Sequence, residues 1–440
     1  MARLLQSLRR VLGLTPSSPV PRYARSIDTN FSFFQEGDRV VINGKTPLLS
    51  KPLRKGQKSD TRRGQLEHDN IIGRRVRDLV QARKGPEYRL SLPTLEEYVA
   101  LTPRLVTPIY SPDANLIVSL LDIHISPPAE ETDHPQPPLE ILESGTGHGS
   151  LTLHLARAIQ GANAIPPPLP RSSQVTYLPT KPGEVATRKI QPPQDGTTET
   201  VNPDQENWDA WRSRRKAIIH SVDVTPKTSV HAENVVRGFR RGIYTGNVDF
   251  YAGHVEDWIA EQKRQRAPTG LLSFNKSEVE PFLSYAILDM PSAHLRIPHV
   301  ASILKRDGLL AVFMPSVTQI GDCVELIRRQ RLPLVQDKVV ELGNGISGGR
   351  TWDIRHAVKK SRENVSVASA SESAEEGSDS VEEVAAEGEI PDSTVTVPVS
   401  PEGTSKEEDS VLVCRPKVGT RIVGGGFVGI WRKIEDTRKN

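Results

Sequence analysis

The chain has only two cysteines in 440 residues, Cys323 and Cys414. Two thiols cannot build a disulfide framework, nor a four-ligand zinc site by themselves. Two reduced structural cysteines are the expectation. Long apolar runs are missing as well. None approaches the roughly 20 residues that a membrane-spanning helix needs, so a soluble protein with no membrane partner is expected. Hydrophobic residues make up only 36% of the chain, while prolines number 35. A good part of the sequence is therefore not packed core, although its length permits more than one domain.

Acids are absent from Met1 to Ser26, a stretch that carries Arg3, Arg9, Arg10, Arg22 and Arg25. Leu4, Leu5, Leu8, Val11 and Leu12 fall at helical spacing beside those arginines. Such a start has the character of a mitochondrial transit peptide, taken here as residues 1–30. A mitochondrial location follows as the expectation, with the nucleus as the alternative. The net charge of +3 hides a strong asymmetry. Glu363 to Asp409 holds fourteen acids against the single Lys406, which leaves the rest of the chain near +16. A basic body with an acidic, disordered insertion over 358–410 suits a polyanionic partner.

Residues 31–106 read as a small β-rich domain. Phe34 to Asp38 suggests a turn into a strand at Arg39 to Ile42, and Lys45 to Arg63 is basic and loop-like. Gly64 to Gly73 and Tyr88 to Leu92 suggest further short strands, and a helix capped by Thr94 starts near Pro93. The adjacent His68 and Asp69 have no metal spacing around them and read as turn or hydrogen-bonding residues.

The second domain, 107–357 with 411–434, is organised around Leu139 to Ile159. An apolar strand, Leu139 to Leu142, runs into a turn holding Gly145, Gly147 and Gly149. A helix follows, with Leu151, Leu155, Ala158 and Ile159 on one face. Strand, glycine turn and helix make a nucleotide cradle. Residues 161–211 hold nine prolines and no sustained apolar period, so a disordered insertion is expected there. Strands then recur at Lys216 to Val222, Val248 to Ala252, Phe282 to Leu288 and Leu309 to Met314. Helix patterns intervene at Thr228 to Phe239, Pro298 to Leu304 and Thr318 to Gln330. That alternation predicts a parallel, doubly wound sheet, with Val411 to Cys414 and Gly426 to Arg432 returning as a hairpin to complete it. Ligands in such sheets sit beyond the carboxyl ends of the strands. Glu143, Asp223, His254 and Asp289 all fall there, which places them in one pocket.

Two nucleotide families share such turns. The dinucleotide fingerprint is GxGxxG, with a pyrophosphate on the helix N-terminus. Here an acid, Glu143, stands two residues before Gly145. It would repel a pyrophosphate and suits the cationic methionine end of S-adenosyl-L-methionine. The loop favours a methyltransferase over a dehydrogenase.

The stretch LEILESGTGHGSLTLHLARAI, with YSPDANLI before it and AILDMPSAH after it, resembles the catalytic subunit of the tRNA (adenine(58)-N(1))-methyltransferase family. FQEGD, GQLEHDNIIG, the Gly348 to Trp352 run and the terminal hairpin are also similar. The resemblance implies a Rossmann-like class I methyltransferase sheet behind a small N-terminal β-rich domain. It implies S-adenosyl-L-methionine as cofactor and tRNA as partner, with methylation at N1 of adenine 58 in the T-loop. It further implies that Gly145, Thr146, Gly147, His148, Gly149 and Ser150 hold the methionine part and ribose. Glu143 stands with them, Asp223 takes the ribose hydroxyls, and Ile109 and Tyr110 pack on the cofactor. His254 sits where the family has an acid that reads the cofactor's adenine. Asp289 lies between cofactor and target base as the catalytic acid group. The chain departs from the pattern at His148, His254, His294 and Thr107–Pro108. Family members form four-subunit assemblies, so a homotetramer is expected, or a heterotetramer with a non-catalytic tRNA-binding subunit. A binding subunit without activity and a methyltransferase of another substrate are the rival readings.

Overall fold

The N-terminal module is held by short strands around a small apolar centre. A computed structural model describes residues 26–44, 46–126, 136–179, 184–188, 203–267, 279–343, 352–358, 410–416 and 425–435. The strands β1 (Val41–Ile42), β2 (Leu48–Leu49), β3 (Lys58–Thr61), β4 (Gly64–Glu67), β5 (Leu79–Gln81) and β6 (Glu87–Ser91) come first. They form a sheet of order β2-β1-β6-β5 and a separate β3-β4 hairpin. Phe34, Val40, Leu53, Leu66, Ile71 and Leu90 fill the centre, each fully buried. Lys45 to Arg63, expected as loop, thus contains β2 and β3, which are short and pair across turns rather than along an apolar run. His68 is buried as a hydrogen-bonding residue: its Nδ1 accepts from Arg54 N at 2.9 Å and its Nε2 meets Ser59 Oγ at 2.8 Å.

Helix α1 (Leu95–Leu101) starts in a capping box, with Thr94 Oγ1 accepting from Glu97 N and Glu97 accepting from Thr94 N. Then come α2 (Ser111–Leu121), β7 (Leu139–Ser144), α3 (Ser150–Ile159), β8 (Thr176–Tyr177), β9 (Thr187–Arg188), α4 (Pro203–Arg212) and β10 (Ala217–Asp223). They are followed by α5 (Pro226–Gly238), β11 (Val248–Ala252), α6 (Val255–Arg266), β12 (Leu283–Leu288), α7 (Ile297–Ala301), β13 (Leu304–Met314), α8 (Val317–Arg329) and β14 (Leu334–Gly343). The final elements are β15 (Trp352–Val358), β16 (Ser410–Pro416) and β17 (Gly425–Lys433).

The central sheet has nine strands in the order β14-β17-β13-β12-β7-β10-β11-β8-β9. Strands β8, β11, β10, β7, β12 and β13 run parallel, and β17 lies antiparallel between β13 and β14. Side-chain alternation sorts the core into two layers. Ile141, Ile219 and Phe250 face the helices α2, α3 and α5, and Leu142, Leu288 and Leu310 face α6, α7 and α8.

Two expectations need correction. The segments 411–414 and 426–432 do not form a hairpin with each other. Strand β16 pairs with β15 in a separate two-stranded unit, whereas β17 inserts between β13 and β14. The stretch 161–211 is not uniformly disordered. Strand β8 extends the central sheet beside β11, and α4 buries Trp208 and Trp211, which stack at 5.7 Å. Buried Arg215 adds a bidentate pair to Asp249, at 2.8 Å on each oxygen. Two tryptophans, one sheet pairing and one buried ion pair compensate the lack of a continuous apolar period. Residues 180–183 and 189–202 of that stretch lie outside the described residues.

The expected transit peptide lies outside them too, except for 26–30. Those five residues belong to the folded body: Ile27 is buried, and its N–H donates to Pro166 O at 3.1 Å. The acidic insertion 358–410 is described only at its ends, Val358 and Ser410. No helix among the described residues is long and apolar enough to cross a membrane.

Candidate active site

The glycine turn is bound to the strand ends on both of its sides. Gly145 N donates to Val222 O at 2.9 Å, and Asp289 N donates to Ser144 O at 2.8 Å. Gly145, Gly147 and Gly149 all have positive φ, at +96°, +52° and +84°. A Cβ on Gly145 would stand 1.8 Å from the backbone oxygen of Asp289, so no side chain fits there. Gly149 begins α3, which no side chain caps, so its first N–H groups remain for a ligand.

Three carboxylates converge at this edge. Glu143 is fully buried; its Oε2 accepts from Thr152 Oγ1 at 2.6 Å and Ser221 Oγ at 2.7 Å, and its Oε1 has no partner. Because Ser221 gives its proton to Glu143, Thr146 donates to Ser221, at 2.8 Å. Glu143 therefore anchors the turn to β10 and α3 from inside the core. Burial, then the charges of Asp289 and Asp223, push its carboxyl up to about 7. Asp289 is half-buried, and burial together with Asp223 pushes it up to about 7 as well. No described residue donates a hydrogen bond to the Asp289 carboxylate. Asp223, at the tip of β10, accepts from Gly147 N at 3.2 Å and Thr225 N at 2.9 Å. One bond on each oxygen leaves lone pairs for further donors.

The walls come from neighbouring segments. Ile109 and Tyr110 lead into α2, where Ile109 O accepts from Ser150 Oγ at 2.5 Å and Tyr110 OH accepts from Arg104 Nη1 at 2.8 Å. His148 is buried with both ring nitrogens unpartnered, edge-on to His231 at 5.8 Å. Burial, then His231 and Arg104, push its pKa down to about 4, so the ring is neutral. His254 caps α6 at the same sheet edge but is exposed and makes no cap bond. No contact among the described residues joins its ring to the three carboxylates. His294 is half-buried in a turn after Asp289.

Thr152, Ser221, Met290 and His231 escaped the sequence reading. Met290 Sδ accepts from Ser144 Oγ at 3.1 Å, behind the turn. For Ser221 the usable signal is register, because it stands directly opposite Glu143 on the neighbouring strand.

These residues fit S-adenosyl-L-methionine better than a dinucleotide. The left-handed turn lets a ligand approach the main chain, and Asp223 retains acceptor capacity for a ribose. A pyrophosphate would instead meet the Asp223 carboxylate beside the turn and Asp289, whose carboxyl Asp223 already pushes up.

Comparison with known proteins agrees. Residues 33–75 match the family model described as TrmI-like N-terminal. The tRNA (adenine(58)-N(1))-methyltransferase TrmI of Thermus thermophilus is 25% identical over 301 residues, 68% of this chain and 81% of that protein. The catalytic subunit TRM61 of Candida albicans is 28% identical over 130 residues, 29% of this chain and 35% of that protein. A SAM-dependent O-methyltransferase from Thermotoga maritima has a TM-score of 0.50 at 13% identity, covering 93% of this chain and 97% of that one. That likeness speaks for the fold alone, a mixed sheet of the class I methyltransferase kind. With the matching N-terminal module, these likenesses make the chain a distant relative of the TrmI methyltransferases.

Proposed function

We propose that the protein methylates N1 of adenine 58 in the T-loop of tRNA. The observation that carries this reading is Asp289, a carboxylate without a hydrogen-bond donor among the described residues, whose backbone packs against Gly145 of the cofactor turn. The proposal takes tRNA from the relatives' substrate, and the charge of the N-terminal module supports it. Arg54, Lys55, Lys58, Arg62, Arg63 and Lys84 are exposed there, a pattern suited to phosphates.

The residues divide the work as follows. The main chain of Gly145 to Ser150 and the Asp223 carboxylate would hold S-adenosyl-L-methionine, with Ile109 and Tyr110 beside it. When bound, that group supplies an electrophilic methyl on a sulfonium. Adenine N1 already presents a lone pair at neutral pH, so no base is needed to activate it. The protein must take the base out of its stack and hold N1 in line with the methyl. Asp289 accepts a hydrogen bond from the exocyclic amine. Positive charge grows on the ring as the N–C bond forms, and the Asp289 anion stabilises it. A carboxyl poised near 7 in the free protein ionises more readily once a positive neighbour appears.

The test uses the full chain and two tRNA transcripts, one with adenine and one with guanine at position 58. A primer-extension stop at 58, only on the adenine transcript and only with cofactor, is the expected result. Methylation elsewhere, or none despite calorimetric binding of S-adenosyl-L-methionine, overturns the substrate assignment. For the proposed mitochondrial location, gene deletion should remove the stop from the mitochondrial tRNA pool. Loss from the cytosolic pool alone points to the nuclear enzyme.

A further inference from the structure

Helix α5 starts beside the cofactor-binding carboxylate and ends in an unusual reversal. Arg240, Arg241 and Gly242 are consecutive residues with positive φ, at +47°, +56° and +75°. Two of them carry side chains, which rarely adopt that conformation, so the surroundings must enforce it. The enforcing contacts are made by Arg241. Its Nε and Nη2 bind the two oxygens of Asp38 at 2.9 Å each. Its Nη1 donates to Asp28 O and Asn30 O at 3.1 Å each, and Nη2 also reaches Phe33 O at 2.9 Å. All five N–H groups of the guanidinium are thereby used. Phe31 lies under both arginines, with its ring centre 5.2 Å from Arg240 and 5.0 Å from Arg241. Every partner of Arg241 belongs to the segment that opens the N-terminal module, and Asp38 is buried.

We infer that Arg241 is the positioning residue that sets the N-terminal module against the methyltransferase sheet, so that RNA held by the module presents its target base to Asp289. The inference rests on the tRNA reading above. Arg241 touches neither cofactor nor base; it acts through the module. A lysine cannot replace it, because one ammonium cannot span a carboxylate and three carbonyls in a planar fork. Helix α5 and the turn after it also hold α1 and its approach: Tyr98 OH donates to Val235 O at 2.8 Å, and Arg240 Nη2 to Pro93 O at 3.3 Å. Helix and turn together therefore join the ribose-binding strand end to the module.

The test compares Arg241→Ala, Arg241→Lys and the double charge reversal Lys55→Glu/Lys58→Glu in the full chain. Three quantities are read: KM and kcat for tRNA, the calorimetric Kd for S-adenosyl-L-methionine, and amide exchange over 33–42 and 139–144. Arg241→Ala is expected to raise the tRNA KM at least about tenfold. Loss of one partner of a buried, hydrogen-bonded charge pair usually exceeds that factor. The cofactor Kd should stay within about twofold, and exchange should quicken over 33–42 but not 139–144. Arg241→Lys should fall between Arg241→Ala and wild type. If Arg241→Ala does not fold, Asp38→Asn, which keeps the shape and removes the charge, should show the same pattern more weakly. An unchanged tRNA KM with faster module exchange overturns the inference, as does a parallel loss of cofactor affinity. If the charge reversal raises KM and Arg241→Ala does not, the positioning role fails while the RNA reading stands. If neither does, the RNA reading itself fails.

Discussion

Asp289→Asn separates the role of Asp289 in chemistry from its effect on stability. The amide keeps the side-chain shape and removes the charge. In the cofactor-free protein, burial and Asp223 raise the Asp289 carboxyl from its ordinary 3.8 to about 7. A raised pKa means that the folded state binds its proton more tightly than the unfolded chain. The stabilisation is complete below about pH 4 and is lost as the pH climbs through about 7. Each pH unit in that window is worth about 1.4 kcal/mol at most. Between about pH 5 and about pH 8, wild type should lose up to roughly 3 kcal/mol through this group. Half-burial and sharing of the site with Glu143 reduce that to about 1–2 kcal/mol. The Asn variant lacks this loss, so at about pH 8 it should gain about 1–2 kcal/mol on wild type relative to about pH 5. Denaturant melts at both pH values, without cofactor, measure the difference. Single-turnover methylation should meanwhile fall about 100-fold or more, the scale of a lost transition-state electrostatic contact. A variant that is fully active, or a stability difference that does not change with pH, would refute the reasoning.

Other substitutions probe the remaining parts. Gly145→Ala drives a methyl into the Asp289 carbonyl and should lower single-turnover methylation by about 100-fold, because a misplacement near 1 Å suffices for that; an unchanged rate would show that the turn can yield. Trp208→Ala should cost about 3–5 kcal/mol in urea melts, since the ring is only 2% exposed; a loss near zero would return the segment to the surface. His148→Asn should flatten the acid limb of the stability profile. With the folded pKa near 4, wild type loses stability as pH falls from about 6.5 towards 4, by roughly 1–3 kcal/mol, readable in thermal melts.

The strand, turn and helix around Gly145 were legible because three signals coincide: an apolar run, clustered glycines, and a clean helical period. The parallel strands at Ala217–Asp223, Val248–Ala252 and Leu283–Leu288 were legible for the same reason, each a short apolar run before a polar turn. Helix α4 was hidden because only Trp208 and Trp211 mark its buried face amid polar neighbours. Helix α6 is largely charged, and strand β14 exposes most of its middle, so neither announces a core-facing period strongly. The misplaced hairpin has another cause. That β17 pairs with β13 and β14, and β16 with β15, depends on encounters between distant parts of the chain, which composition does not encode. In the site, Asp223 and Asp289 were legible as strand-end acids. The inward turn of Glu143 was not, because it depends on hydroxyls of Thr152 and Ser221 that meet it only in the folded sheet.

The contact between Ile27 and Pro166 also sets a frontier for any trimming of the amino end. From Ile27 onward, trimming removes bonds of the folded body. Ile27 gives its N–H to Pro166, and the carbonyls of Asp28 and Asn30 are two of the acceptors that grip Arg241. Cleavage at residue 30 would therefore unseat the module. Any cleavage site near the amino end must therefore be measured against a proline-rich strip more than a hundred residues downstream.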